Sequence, residues 1–94
     1  SFEEAEIATK LASLNVLGQL KNFLDDLDQI KKCVKITGYF NCTDDFKDHP
    51  KLLNITSDLM VGVFDDKGKH ARAVIGTNSL PLNASVELDT IFEI

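Results

Sequence analysis

Apolar residues in the first third of the chain recur at helical spacing. Ser1 and Glu4 have the S-x-x-E spacing of a capping box, so a long amphipathic helix is predicted to begin at the first residues. Asp25, Asp26 and Asp28 are unfavourable at the negative end of a helix dipole, so the helix is predicted to end near them. The stripe predicted to face the core consists of Ile7, Leu11, Leu14, Leu17, Leu20, Leu24 and Leu27.

The segment KKCVKITGYFNC alternates with the two-residue period of a strand. One face, predicted to be buried, carries Val34, Ile36, Gly38 and Phe40. The other face carries Cys33, Lys35, Thr37 and Tyr39. Gly38 indicates a bulge or a close backbone approach.

A second helix is predicted after the polar connector TDDFKDHP. Asp48 or His49 can cap it, and Pro50 is tolerated in its first turn. Gly68, which ends DDKG, is available for a left-handed cap or a tight turn. The apolar face of this helix is predicted to carry Leu52, Ile55, Leu59, Met60 and Val63.

Two more strands complete the predicted order α-β-α-β-β. The first contains Arg72; the second, ASVELDTIFEI, follows the loop TNSLPLN and alternates apolar with acidic residues. The pattern predicts an α+β fold with both helices on one face of the sheet. Three strands make a thin sheet with exposed edges, which indicates that further strands precede this piece.

Composition narrows the class of protein. The 94 residues suffice for one domain, and 44% apolar with 27% charged residues is typical of a globular chain. A net charge of −5 disfavours nucleic acid as a partner, and the short apolar runs exclude a membrane-spanning segment. Cys33 and Cys42 lie roughly 30 Å apart along one strand, beyond disulfide reach. Two free thiols favour the cytoplasm over a glycosylating compartment, despite N-x-[ST] motifs at Asn41, Asn54 and Asn83.

Arg72 lies in a segment that otherwise has the character of a strand. The alternation places it with Val74 and Gly76, and Ala71, Ala73 and Ile75 on the opposite face suit packing beneath helices. Arg72 is therefore predicted on the helix-free face, where its planar fork could bind a carboxylate. The alternative is a structural ion pair with Glu87 or Asp89, which are predicted on the same face.

Other polar residues give weaker signals. Glu87, Asp89 and Glu93 could supply a general base, but acidic residues alternating in a strand are also typical of a solvated face. His70 could lie near Arg72 or simply at the surface. His49 and His70 lack partners at metal-ligand spacing, so no metal site is predicted. No base can be placed beside Cys33 or Cys42, so a catalytic thiol is not predicted.

The chain resembles the RidA/YjgF family. The resemblance is carried by the run His70 to Ala73, the Leu80–Pro81 pair, and the closing run Val86 to Ile91, at the separations found in that family. It implies a chorismate-mutase-like (YjgF-like) fold and a homotrimer with a cleft at each subunit interface. Residues 1–94 would form one such domain without the family's N-terminal strands. The last strand would lie on one side of strand 32–42. The Arg72 strand would lie on the other side of strand 32–42 and run parallel to it.

The resemblance also implies an activity, the hydrolysis of reactive 2-imino or 2-enamino acids to 2-oxo acids and ammonia. Arg72 would bind the carboxylate of a small metabolite, the backbone of Val74 would hold the imine or the attacking water, and Glu87 would orient that water. No cofactor is expected. The chain departs from the family pattern in two ways. Val74 stands where many relatives have Cys. A divergent branch is also indicated by the run GTNSLP before the turn and by the acidic end FEI. The alternative is a non-catalytic trimer that binds a carboxylate metabolite. Some relatives are described as endoribonucleases, which the acidic charge disfavours.

Overall fold

The computed structural model describes all residues, 1–94, and has the predicted order of elements. The helices are α1 (Phe2–Phe23) and α2 (His49–Phe64). The strands are β1 (Lys32–Asn41), β2 (Ala71–Thr77) and β3 (Val86–Glu93). Short 3-10 turns occupy Leu27–Gln29, Asp65–Gly68 and Pro81–Asn83.

The three strands form one mixed sheet in the order β2-β1-β3. β2 runs parallel to β1, as a connection through a helix permits, and β3 runs antiparallel to it. Both placements agree with those that the family resemblance implies. The two helices pack on one face of this sheet, so the predicted α+β, chorismate-mutase-like architecture is confirmed.

A small apolar core lies between the helices and the sheet. Its nine buried residues are Leu24, Ile30, Cys33, Ile36, Phe40, Leu52, Leu53, Met60 and Phe64. β3 contributes alternate residues to the margin of this core, in the predicted two-residue period: Val86, Leu88 and Phe92. No helix in the structure is both long and apolar enough to cross a membrane.

The capping box at the start of α1 is present, but the predicted apolar stripe is wrong in its first half. Ile7, Leu11 and Leu14 are 63%, 57% and 44% exposed. The residues of α1 that are fully buried are instead Thr9 and Ser13. Small side chains lie where α1 meets α2 because they allow the two helices to approach closely, and the periodicity of large apolar residues does not reveal this contact.

A buried hydroxyl pair joins the two helices. Ser13 Oγ donates to Thr9 O at 2.7 Å and therefore accepts from Thr56 Oγ1, also at 2.7 Å; the Thr56 hydroxyl has no other hydrogen-bond partner. We expect Ser13→Ala to lower the free energy of unfolding by about 1–3 kcal/mol because Thr56 then stays buried without a partner. Replacing both residues, Ser13→Ala with Thr56→Val, should recover part of that loss in urea unfolding. A double variant less stable than Ser13→Ala alone would contradict this account.

A bulge between Cys33 and Lys35 alters the predicted alternation in β1. Cys33 becomes fully buried with Ile36, whereas Val34 is 40% exposed, so the predicted faces of these two residues are wrong. Gly38 does mark a close approach, as predicted, because a Cβ there would lie 2.7 Å from Leu53 Cδ1. Cys33 and Cys42 are both free thiols.

The helix α2 begins where predicted, with Pro50 in its first turn, but Asp48 at its N-cap position makes no capping hydrogen bond through its side chain. Its buried face is centred differently, on Leu52, Leu53, Thr56, Met60 and Phe64, so Ile55, Leu59 and Val63 are not in the core. Gly68 does not have the positive φ that a left-handed cap requires; Asp65 has a positive φ of 53°, but its ψ of −129° lies outside the left-handed helical region. Gly68 is needed instead for space, because a Cβ there would overlap Met60 O.

Candidate functional site

Arg72 lies on the face of the sheet that the helices cover. It is paired in register with Ile36, which is fully buried beneath the helices, and its neighbour Val74 packs against the core. Ala71, Ala73 and Ile75 are the residues left exposed on the other face. The predicted face of Arg72 is therefore wrong, because α2 leaves room at this edge for a long polar side chain.

The guanidinium of Arg72 contacts two neutral oxygens of α2. Nη1 donates to Ser57 Oγ at 3.2 Å, and Nη2 donates to Pro50 O at 3.4 Å. The three ion pairs of the structure involve other residues, so the alternative of an ion pair between Arg72 and Glu87 or Asp89 is wrong. Arg72 is the only arginine in the chain, and its charge has no carboxylate partner.

Ser57 links Arg72 to His70, and the three residues form what we call the Ser57 cluster. His70 Nε2 is 2.9 Å from Ser57 Oγ, and His70 Nδ1 is 2.6 Å from Gly68 O. A carbonyl oxygen only accepts, so in the neutral imidazole Nδ1 carries the proton and Nε2 accepts from the Ser57 hydroxyl. The hydroxyl can then accept from Arg72. The sequence offered His70 as a possible neighbour of Arg72, but no sequence signal pointed to Ser57, which comes from a different element.

Val74 and Glu87 lie on opposite sides of the sheet. Val74 is half-buried on the helix face, whereas Glu87 is exposed and pairs in register with Tyr39 on the helix-free face. Ile36 and Tyr39 are three residues apart, so their partners Arg72 and Glu87 point to opposite faces. The prediction that Arg72 and Glu87 share a face is wrong, and one copy of the chain does not bring them together.

Cys42 has a base beside it, contrary to the expectation from sequence. His49 Nε2 lies 3.3 Å from Cys42 Sγ, at the point where the connector after β1 meets the start of α2. The spacing of seven residues gave no signal because a loop and a helix turn bring the two together. No group of three or more His, Cys, Asp or Glu side chains is close enough to hold a metal ion.

This architecture defines the class: two helices on a mixed three-stranded sheet of the chorismate-mutase type. The sequence profile of the family described as "YjgF/chorismate_mutase-like, putative endoribonuclease" matches residues 1–93. The chain belongs to this YjgF family.

The chain is also similar to proteins from three organisms. The Trypanosoma cruzi protein TCP17 is 35% identical over 92 residues, which are 97% of this chain and 58% of TCP17. The crystal structure of the Agrobacterium tumefaciens protein Atu1372, of unknown function, superposes with a TM-score of 0.93 at 38% identity. The crystal structure of a protein from Shewanella oneidensis, described as "a putative endoribonuclease", superposes with a TM-score of 0.92 at 31% identity. All of this chain is covered in both comparisons, but only 60% and 62% of those two chains.

Proposed function

We propose that the protein hydrolyses reactive 2-imino or 2-enamino acids to 2-oxo acids and ammonia. The observation that supports this best is the guanidinium of Arg72, exposed and bound only by neutral acceptors. Two of its five N–H groups are used by Ser57 and Pro50, so three remain for a ligand. A planar cation with free donors suits the two oxygens of a substrate carboxylate.

The remaining chemistry needs few groups. An imine carbon is already electrophilic, so a water held against it attacks readily, and the tetrahedral product loses ammonia to leave the 2-oxo acid. We assign the backbone of Val74, on the edge strand β2, to hold the imine or that water. Glu87 is assigned to orient the water as an acceptor. No cofactor takes part in these steps.

A substrate that touches both Arg72 and Glu87 must lie between two copies of the chain, because one copy holds them on opposite faces. We therefore propose a homotrimer with its sites at the subunit interfaces. The helix-free face supports this because it exposes apolar side chains that a neighbouring sheet could cover: Val34, Ile75 and Ile91.

The activity is tested by coupling the protein to a dehydratase that releases 2-aminoacrylate from serine. We expect faster pyruvate and ammonia release than the spontaneous hydrolysis gives. Release at the spontaneous rate would overturn the proposal. So would thermal stabilisation by small 2-oxo acids without any turnover, because that result indicates a carboxylate-binding protein.

The two-copy site is tested by mixing inactive variants. Arg72→Ala and Glu87→Gln, each inactive alone, are unfolded together and refolded at equal concentration. If each site takes Arg72 from one copy and Glu87 from another, random assembly should restore about a quarter of the wild-type activity. A mixture no more active than its components would contradict the two-copy site.

A further inference from the structure

The structure places a thiol and an imidazole together beside a cavity that the proposed reaction does not use. Cys42 Sγ and His49 Nε2 are 3.3 Å apart, and both residues line a cavity of about 460 Å³. This volume lies within the range of small-molecule sites. Both residues are half-buried, so the pair is sheltered but reachable from solvent.

The fold makes specific room for this pair. Gly76 of β2 lies directly beside it: a Cβ at that position would overlap His49 Nε2 and lie 3.1 Å from Cys42 Sγ. The space left by the missing side chain of Gly76 is thus filled by His49. The Phe46 ring packs edge-on against the imidazole, with 4.9 Å between ring centroids, and restricts its orientation.

A proton acceptor and charges of both signs surround the Cys42 thiol. The imidazole nitrogen can take the thiol proton, and the positive N-terminal end of the 16-residue helix α2 is adjacent because His49 is its first residue. Asp44 and Lys47, of opposite charge, both line the cavity. Glu4 lines a second cavity that also touches Cys42. With one cation and two acids around the thiol, no strong preference for a charged ligand is expected.

We propose that Cys42 is a nucleophilic thiol that undergoes exchange with small uncharged disulfides, with His49 as its base. His49 takes the proton from Cys42, and the sulfur attacks one sulfur of the disulfide. The S–S bond of the reagent breaks, a mixed disulfide forms on Cys42, and the released thiolate recovers the proton from His49. Two protein ligands alone make a poor metal site, so exchange is favoured over metal binding.

The mixed disulfide should persist until an external thiol reduces it. The other cysteine, Cys33, is fully buried near the opposite end of β1 and cannot reach Cys42. Burial also raises the pKa of the Cys33 thiol to about 11, so this thiol stays protonated near neutral pH. Cys42 is therefore a site of reversible modification. Cys33, in the same chain, serves as an unreactive thiol for comparison.

The test uses 4,4′-dithiodipyridine, an uncharged disulfide whose released thiopyridone is followed by absorbance. We expect one equivalent to react with the folded protein and intact mass to show a single adduct. Cys42→Ser should abolish this reaction, and Cys33→Ser should leave it unchanged. Reaction at Cys33, or no reaction before unfolding, would overturn the proposal.

The role of His49 is tested by its replacement. His49→Gln should react about tenfold more slowly than wild type at pH 7, and the ratio should approach one near pH 10, where thiols ionise without a base. Equal rates at pH 7 would overturn the assignment of His49 as base.

Gly76→Ala provides a second variant, because it retains Cys42 and His49 but forces their side chains apart. Provided that its circular dichroism is that of the folded protein, this variant should also react slowly with the disulfide. This readout does not depend on imine hydrolysis, so the two proposals can fail separately.

Discussion

Arg72→Ala is expected to lower kcat/KM for 2-aminoacrylate hydrolysis by at least about a hundredfold. Each charge-assisted hydrogen bond to a substrate carboxylate contributes about 1.5–3 kcal/mol, and the variant loses two of them. Arg72→Lys should recover only part of the activity because an ammonium cannot contact both oxygens with a planar fork. The measurement is initial pyruvate release over a range of substrate supply.

A neighbouring lysine provides the matched control. Lys69 carries the same charge three residues away and pairs with Asp66 at 3.1 Å, at an exposed position. Lys69→Ala removes one positive charge without touching the Ser57 cluster, so its kcat/KM should equal that of wild type. Equal losses in Lys69→Ala and Arg72→Ala would mean that general charge, and not the guanidinium of Arg72, supports the reaction.

Gly68→Ala is expected to cause the largest loss of stability among single methyl additions. The new Cβ would overlap Met60 O and lie 2.6 Å from the Met60 carbonyl carbon and 2.9 Å from Val61 Cα. These are backbone atoms, which cannot rotate away, so the end of α2 must shift. We expect a loss of about 3 kcal/mol in the free energy of unfolding, the upper part of the range for overpacking. The corresponding fall in Tm is on the order of 10–20 °C.

The control is the same substitution six residues earlier. Gly62 lies within α2, and a Cβ there would meet nothing within 4 Å. Gly62→Ala should therefore raise stability by about 0.5–1 kcal/mol through the better helix propensity of alanine. Urea unfolding of both variants gives the comparison. Changes of the same sign would contradict the steric account of Gly68.

Local patterns in the sequence were sufficient for much of the fold. The capping box of Ser1 and Glu4, the alternation in β3 and the position of Pro50 each depend on neighbours within a few residues, and each was predicted. The placement of β2 and β3 on either side of β1 came from the family resemblance, because strand order depends on contacts distant in sequence.

The errors concern contacts that only the folded chain creates. Thr9 and Ser13 replace Ile7 and Leu11 in the core because two helices approach most closely at small residues. The bulge after Cys33 cannot be seen in a period-two pattern. Arg72 was assigned to the wrong face because Ala and Ile were read as core residues, although Gly76 on the Arg72 side is what accommodates His49.

The first turn of α2 serves two neighbourhoods through consecutive residues. The ring of His49 faces Cys42, and the carbonyl of the next residue, Pro50, accepts from Arg72. We therefore expect substitutions that reshape this turn to change the proposed thiol exchange and the proposed carboxylate binding together. Substitutions outside the turn, such as Cys42→Ser for the first and Arg72→Ala for the second, should change only one of them.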